Sequence, residues 1–199
     1  GYNRRFSPAA ILLKAHLAKS EAPMQLNFTM NAGFLPKDHW TQNIEIGGGR
    51  IIGEACHYFD LAAFLTGSFA TEVMAQSMGD TKLSSDNVSI LIKYQNGSTA
   101  VINYFSNGNK SYPKERVEVF QNNVIAILDN FTKLNFYGSN SKNWSGTQDK
   151  GHKDQYKKWL SSIQNGGSEM IDLNSLINTS KLSFAVIESL KTGNNVRII

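Results

Sequence analysis

The densest group of reactive side chains is Gly53-Glu54-Ala55-Cys56-His57-Tyr58-Phe59-Asp60. On a helix, Glu54, His57 and Asp60 stand three apart and share a side. A histidine with a carboxylate one turn away in each direction can be oriented and tuned towards neutral pH, as proton transfer requires. The same spacing also suits a hydrogen-bonded core histidine beside an ordinary acid, and the residues alone leave both readings open. Metal binding is not expected. Cys56 and His57 are adjacent and diverge by about 100° on a helix, and no second Cys or His follows at ligand spacing. Cys56 reads as a small buried hydrophobe. As the single cysteine it excludes an internal disulfide framework and fits a reducing compartment.

A second group lies upstream, between Asn31 and Gly49. This stretch reads as a long loop carrying Phe34, Lys37, His39 and Trp40, and long loops are often functional. Trp40 suits a stacking platform for a sugar ring, or simply an anchor for the loop. Gly47-Gly48-Gly49 does not match the dinucleotide fingerprint G-x-G-x-x-G and follows no strand of a βαβ unit. It reads either as a flexible entry to the next helix or as a place where a ligand approaches backbone closely.

The elements that must position these groups follow from periodicity. Ser7-Pro8 is an N-cap with proline at the first helical position, and the helix runs on to Lys19. Met24 to Met30 alternates apolar and polar as a half-buried strand does. Ile51 to Leu65 reads as a helix stopped by Gly67. Period two then takes over, predicting strands at Thr71–Met78, Asn87–Tyr94, Ser98–Tyr104, Arg116–Phe120, Val124–Leu128 and Lys133–Phe136. Asn96-Gly97 is a hairpin signal in which both residues accept positive φ, and Asn122-Asn123 offers a second. Gly138 to Gly151 reads as a loop. His152–Gln164 and Leu173–Lys191 read as helices, and Asn195–Ile199 as a short last strand. The expectation is one α+β domain over residues 1–199, an open and mostly antiparallel sheet with helices on one face.

Composition narrows the class. The 199 residues are 41% apolar and 18% charged, as in a soluble globular chain. No apolar run approaches the ~18 residues that span a bilayer, and the first residues carry no secretory pattern. The expected location is cytoplasmic. The net charge of +4 comes from scattered Lys and Arg rather than a basic stripe, so neither a nucleic acid nor a membrane is an expected partner.

Three segments together resemble the second domain of the glucose–fructose oxidoreductase / inositol dehydrogenase / MocA family. Gly1-Tyr2-Asn3-Arg4-Arg5-Phe6-Ser7-Pro8 is similar to that domain's opening. Gly47 through Leu61 is similar to its glycine-rich approach to a catalytic histidine helix. Ile187-Glu188-Ser189-Leu190-Lys191-Thr192-Gly193 followed by Val196 is similar to its last helix and closing strand. The stretch from Asn31 to Trp40 is similar to a subgroup fused behind a zinc-type alcohol-dehydrogenase-like module and linked to polysaccharide biosynthesis.

The resemblance implies the substrate-side part of an NAD(P)-dependent oxidoreductase acting on a sugar or nucleotide-sugar. The Rossmann domain, with its glycine fingerprint and catalytic lysine, is missing from this chain, which is therefore expected to be inactive alone. His57 corresponds to the acid/base histidine, and Asp60 to a contact with a substrate hydroxyl. Asn3 and Arg4 correspond to positions beside the nicotinamide ribose. Arg5, Lys37, Trp40, Tyr112 and Lys114 are the further substrate-side candidates. Where the family often has aspartate four residues before the histidine, this chain has Gly53, and Glu54 is the candidate substitute. Homodimers or tetramers through the free sheet face are implied as well. The alternative is a non-catalytic assembly or sugar-binding domain.

Overall fold

A computed structural model describes residues 1–79, 86–167 and 169–199. Nine strands, among the described residues, form one sheet in the order β8-β7-β6-β5-β1-β4-β3-β2-β9. They are β1 (Gln25–Asn31), β2 (Ala70–Ser77), β3 (Val88–Tyr94), β4 (Thr99–Phe105), β5 (Glu115–Gln121), β6 (Val124–Asp129), β7 (Lys133–Tyr137), β8 (Trp144–Ser145) and β9 (Val196–Arg197). The expected strands are present to within one or two residues. Every pairing is antiparallel except that of β1 with β4. β1 reaches the middle of the sheet from a helix and not from a hairpin, so nothing forces it antiparallel to both neighbours.

Alternation assigns the faces. Leu26, Phe28 and Met30 of β1, Val88, Ile90 and Ile92 of β3, and Ala100, Ile102 and Tyr104 of β4 are buried on one side. That side is covered by α1 (Pro8–Leu17), α3 (Cys56–Thr66) and α5 (Leu173–Thr192). The α+β expectation, with helices on one sheet face, therefore holds. α4 (His152–Gln164) departs from it: it contacts the 3-10 turn Arg4–Phe6 and contributes no buried residue.

Three local readings change. The helix expected over 51–65 begins as a π-helical turn, Ile51–Ala55, in which Cys56 N–H donates to the Ile51 carbonyl five residues back. The 31–49 loop contains a 3-10 turn at Trp40–Gln42 and a single α-helical turn, α2 (Ile44–Gly47), capped by the Asn43 side chain. The 138–151 loop contains β8.

The hairpins differ as well. Asn122 and Asn123 both have positive φ (47° and 62°), as a two-residue hairpin turn requires. At Asn96-Gly97 only Gly97 does (φ 83°): its N–H donates to the Tyr94 carbonyl, which gives a type I turn followed by a left-handed residue.

Candidate active site

His57 is the second residue of α3 and is half-buried. Its ring meets that of Tyr2 edge to face at 5.7 Å. Nδ1 is buried and has no hydrogen-bond partner among the described residues. Burial, and then the Arg4 guanidinium, push its pKa down to about 4, against a smaller pull from Glu54 and Glu115. At neutral pH the imidazole is therefore uncharged, the form that accepts a proton.

Glu54 does not pair with His57. It lies in the π turn, where regular helical spacing is lost, and accepts from Lys114 Nζ at 2.8 Å, from Arg50 at 2.9 Å and from the Tyr104 hydroxyl. Burial opposes its charge, but Lys114, Tyr104 and Arg50 hold its pKa down at about 2. Arg50, almost wholly enclosed, also donates to the Gly33 and Ala32 carbonyls and faces Asp86 at 3.6 Å. Arg50 thus ties the start of the 32–49 loop to the His57 helix.

Asn3 and Arg4, the candidates for the cofactor side, are both buried. Asn3 Nδ2 donates to the Lys150 carbonyl. Arg4 makes a two-pronged pair with Glu115 at 2.8 and 3.1 Å and donates to the Tyr58 hydroxyl. Glu115 also accepts from Lys150 Nζ at 2.6 Å. Its carboxyl is buried, which favours the neutral form, but Arg4 and Lys150 win and lower its pKa. Tyr112, Lys114 and Lys150 line an open cleft of about 530 Å³ together with Lys110, Asn31 and Asn130. One end of the domain therefore gathers Glu54, Arg4, Asn3, Lys114 and Tyr112 around this cleft and its ion pairs, and the charges of Arg4, Glu54 and Glu115 act on His57.

The remaining candidates lie elsewhere. Asp60 is fully enclosed and paired with Arg5 at 2.5 and 2.9 Å, and burial pushes its pKa up against the pull of Arg5. This pair sits beside a different cavity, lined by Arg5, Lys14 and Phe64. Trp40, Arg4 and Asp60 therefore share no concavity, because Asp60 is enclosed in the protein and Arg4 is covered. Trp40 is 62% exposed, with His39 its nearest ring at 5.9 Å. Lys37 is exposed in the same loop.

The glycine triplet also has an internal cause. A Cβ on Gly47 would lie 2.6 Å from both Thr41 Cα and the Trp40 carbonyl oxygen, while Gly48 and Gly49 hold φ of 70° and 76°. Glycine is required there by contact of the chain with itself.

Sequence reasoning missed Lys150, Glu115, Arg50 and Lys110: Glu115 meets Arg4 across 111 residues and Lys150 across 35, separations that leave no local pattern. A partial signal existed in Asn130-Phe131. Both have positive φ (48° and 56°), unusual for a buried phenylalanine, and Asn130 lines the cleft. No group of three or more His, Cys, Asp or Glu able to hold a metal occurs among the described residues.

Known proteins share this architecture. A family model described as the GFO/IDH/MocA C-terminal domain matches residues 22–124, half of the chain. An uncharacterized oxidoreductase, YrbE of Bacillus subtilis, is 30% identical over 142 residues, which cover 65% of this chain and 39% of that protein. Among solved structures, an NAD binding oxidoreductase from Klebsiella pneumoniae superposes over 100% of this chain and 65% of its own, with a TM-score of 0.79 at 19% identity. A levoglucosan dehydrogenase in complex with NADH and levoglucosan superposes over 100% and 65%, with a TM-score of 0.81 at 16% identity. The chain thus spans well under half of the curated relative and slightly under two thirds of these structures.

Proposed function

The chain belongs to the GFO/IDH/MocA C-terminal domain family of oxidoreductases, and on that premise we propose that it is the substrate side of an NAD(P)-dependent enzyme acting on a sugar or nucleotide-sugar. The observation that carries the proposal is His57. It is uncharged at neutral pH, stands at the start of its helix, and has a buried unpartnered nitrogen beside the Arg4–Glu115–Lys150 and Glu54–Lys114 pairs. Such a group takes or returns the proton of a carbinol hydroxyl. A nicotinamide cofactor, when bound, supplies the hydride exchange. This chain has no phosphate-cradling fingerprint, so its residues suit only an edge contact with a dinucleotide, through the turn that carries Asn3 and Arg4. We assign the bulk of cofactor binding to a further part of the whole protein, NAD or NADP alike.

In this reading Arg4 and Asn3 shape the site floor. Tyr112 and Lys114 contact substrate, while Trp40 and Lys37 approach it from the 32–49 loop. Asp60 and Arg5 hold the His57 helix to the N-terminal turn. Fusion behind a zinc-type alcohol-dehydrogenase-like module, a place in polysaccharide synthesis and a cytoplasmic location belong to the same proposal. Among the described residues, no helix is long and apolar enough to cross a membrane.

One observation favours the alternative of a non-catalytic assembly or sugar-binding domain: Glu54 is spent on Arg50, Lys114 and Tyr104 and leaves His57 without a carboxylate. The test is turnover of NAD(P) with a panel of sugars by the complete protein and its His57→Asn variant. A loss of roughly 10²–10⁴-fold, the usual worth of a positioned acid/base, is expected. Full activity of His57→Asn would defeat the assignment. The 199-residue chain alone is expected to bind no NADH at micromolar concentration, and calorimetry checks this.

A further inference from the structure

The geometry points to an acidic sugar as the ligand of the cleft lined by Tyr112, Asn31 and Asn130, with its carboxylate or phosphate held by Lys110, Lys114 and Lys150. The inference rests on the reading of this end of the domain as the substrate side, and it adds the charge of the substrate.

The cleft's volume of about 530 Å³ lies in the range that holds a small ligand. Its charges do not cancel. Arg4 and Lys150 share the single carboxylate of Glu115, which leaves one positive charge in excess. Lys114 and Arg50 are balanced by Glu54 and Asp86. Lys110 is exposed at the rim, and no ion pair engages it among the described residues. The cleft's own lining carries Lys110, Lys114 and Lys150 and, among the described residues, no carboxylate, and a site lined by one sign of charge concentrates ligands of the other.

The lysines are also placed differently. Lys150, largely enclosed, is fixed at 2.6 Å from Glu115, and Lys114 is fixed at 2.8 Å from Glu54. Each ammonium group makes one strong contact at the wall among the described residues, although an ammonium carries three donors. Each therefore keeps donors for an anion.

The rest of the lining suits a polyol. Tyr112 provides a ring and a hydroxyl at the rim and is about half exposed. Asn31 and Asn130 belong to the wall and add polar side chains to it. Asn31 is itself braced, because its Nδ2 donates to the Asn109 and Tyr112 carbonyls and so pins the segment that carries Lys110 and Tyr112. Two of the cleft's lysines pair with carboxylates whose charge acts on His57, Lys114 with Glu54 and Lys150 with Glu115.

The experiment compares three probes on the 199-residue chain: glucose, glucuronate and glucose 6-phosphate, followed by calorimetry or ligand-observed NMR. At least one anionic probe is expected to bind about tenfold or more tightly than glucose, a difference of about 1.4 kcal/mol. Its affinity should fall as salt is raised, because the rim is exposed to screening. The two anions separate carboxylate from phosphate recognition.

Lys110→Glu should abolish the preference. Lys110 lies at an exposed position, so the fold is expected to survive this substitution; circular dichroism confirms it. Lys150→Met is the second variant and should act the same way. Glucose binding as tightly as both anions would overturn the inference. So would no anion binding on the order of 10 mM, or a preference that survives both substitutions in folded protein. Turnover by the complete protein separates the two proposals. Oxidation of neutral sugars with no preference for acidic ones removes this inference and leaves the oxidoreductase reading. Anion binding in the cleft with no hydride exchange does the reverse.

Discussion

At the residue scale, protonation distinguishes the two groups nearest the proposed chemistry. His57 has its pKa lowered from 6.5 to about 4 and Glu54 from 4.5 to about 2. In each case the unfolded chain binds the proton more readily than the folded one, so stability rises with pH across the window between the two values. His57 thus contributes stability that is complete above about pH 6.5 and lost as pH falls through 4. Glu54 contributes stability that is complete above about pH 4.5 and lost as pH falls through 2. We expect His57→Asn to flatten the dependence of Tm on pH between 6.5 and 4 while leaving the lower limb intact, and Glu54→Gln to flatten the lower limb. Thermal melts in a buffer series check both. An unchanged upper limb in His57→Asn would mean that the histidine titrates as in solution and is not held neutral by its surroundings.

Glu115→Gln is the stability test of the same end of the domain. Arg4 would remain buried with no counter-charge, a change that costs about 3–5 kcal/mol when one partner of an enclosed pair is removed. Urea denaturation measures it, and a cost below about 1 kcal/mol, the range of exposed pairs, would place the pair in contact with solvent.

Elements show which features are legible in a sequence and why others are not. β1, β3 and β4 were readable because a residue's side of a strand depends only on odd or even position, which one chain displays by itself. The His152–Gln164 helix was readable to its ends, since its glycine-rich flanks and charged face are local. The π turn at Ile51–Ala55 was not, because one misplaced hydrogen bond leaves the composition of a helix unchanged. It matters to the site: the shared face expected for Glu54 with His57 and Asp60 depends on regular helix, and Glu54, inside the π turn, pairs with Arg50, Lys114 and Tyr104 instead. The direction of β1 was equally hidden, as alternation is the same in parallel and antiparallel pairs.

Gly47 shows a signal that was visible but not decidable, since a glycine needed for a ligand and one needed for the chain's own backbone look alike in sequence. The geometry assigns it to the backbone. Gly47→Ala should therefore cost about 1–3 kcal/mol, the usual range for overpacking, as the loop from Ala32 to Gly49 shifts away from Trp40 and Thr41. Chemical denaturation reads the cost, and tryptophan fluorescence reads the displacement of Trp40. An alanine variant of unchanged stability and spectrum would return the triplet to the ligand reading.

For the whole molecule, the sheet has a covered face and an open one. α1, α3 and α5 occupy the first. On the second, the register places Met74 beside Leu91 and Leu91 beside Val101 in one row, and Phe120 beside Ile125 and Ile125 beside Tyr137 in another. Met74, Leu91, Phe120 and Tyr137 are each between 41% and 53% exposed, while Asn27 and Glu118 continue the first row and Ser89 and Asn103 flank it. Apolar stretches edged by polar side chains resemble the mixed composition of an interface between folded subunits more than that of a domain interior. The only partner certain to be present at equal concentration is a second copy, and two copies meeting through the same face bury both rows at once in a closed pair. We therefore expect the chain to be a dimer or larger at ~100 μM, well above the dissociation constants of most specific interfaces. Leu91→Glu places a charge at the centre of the first row and leaves the buried face untouched. It should weaken association by at least about tenfold, since burying one unpaired charge costs more than the 1.4 kcal/mol that tenfold represents. Sedimentation of both proteins at matched concentrations, with circular dichroism to show that the fold is kept, provides the measurement. A monomeric unsubstituted chain at ~100 μM, or a Leu91→Glu variant that associates as strongly as its parent, would show that the open face stays in water.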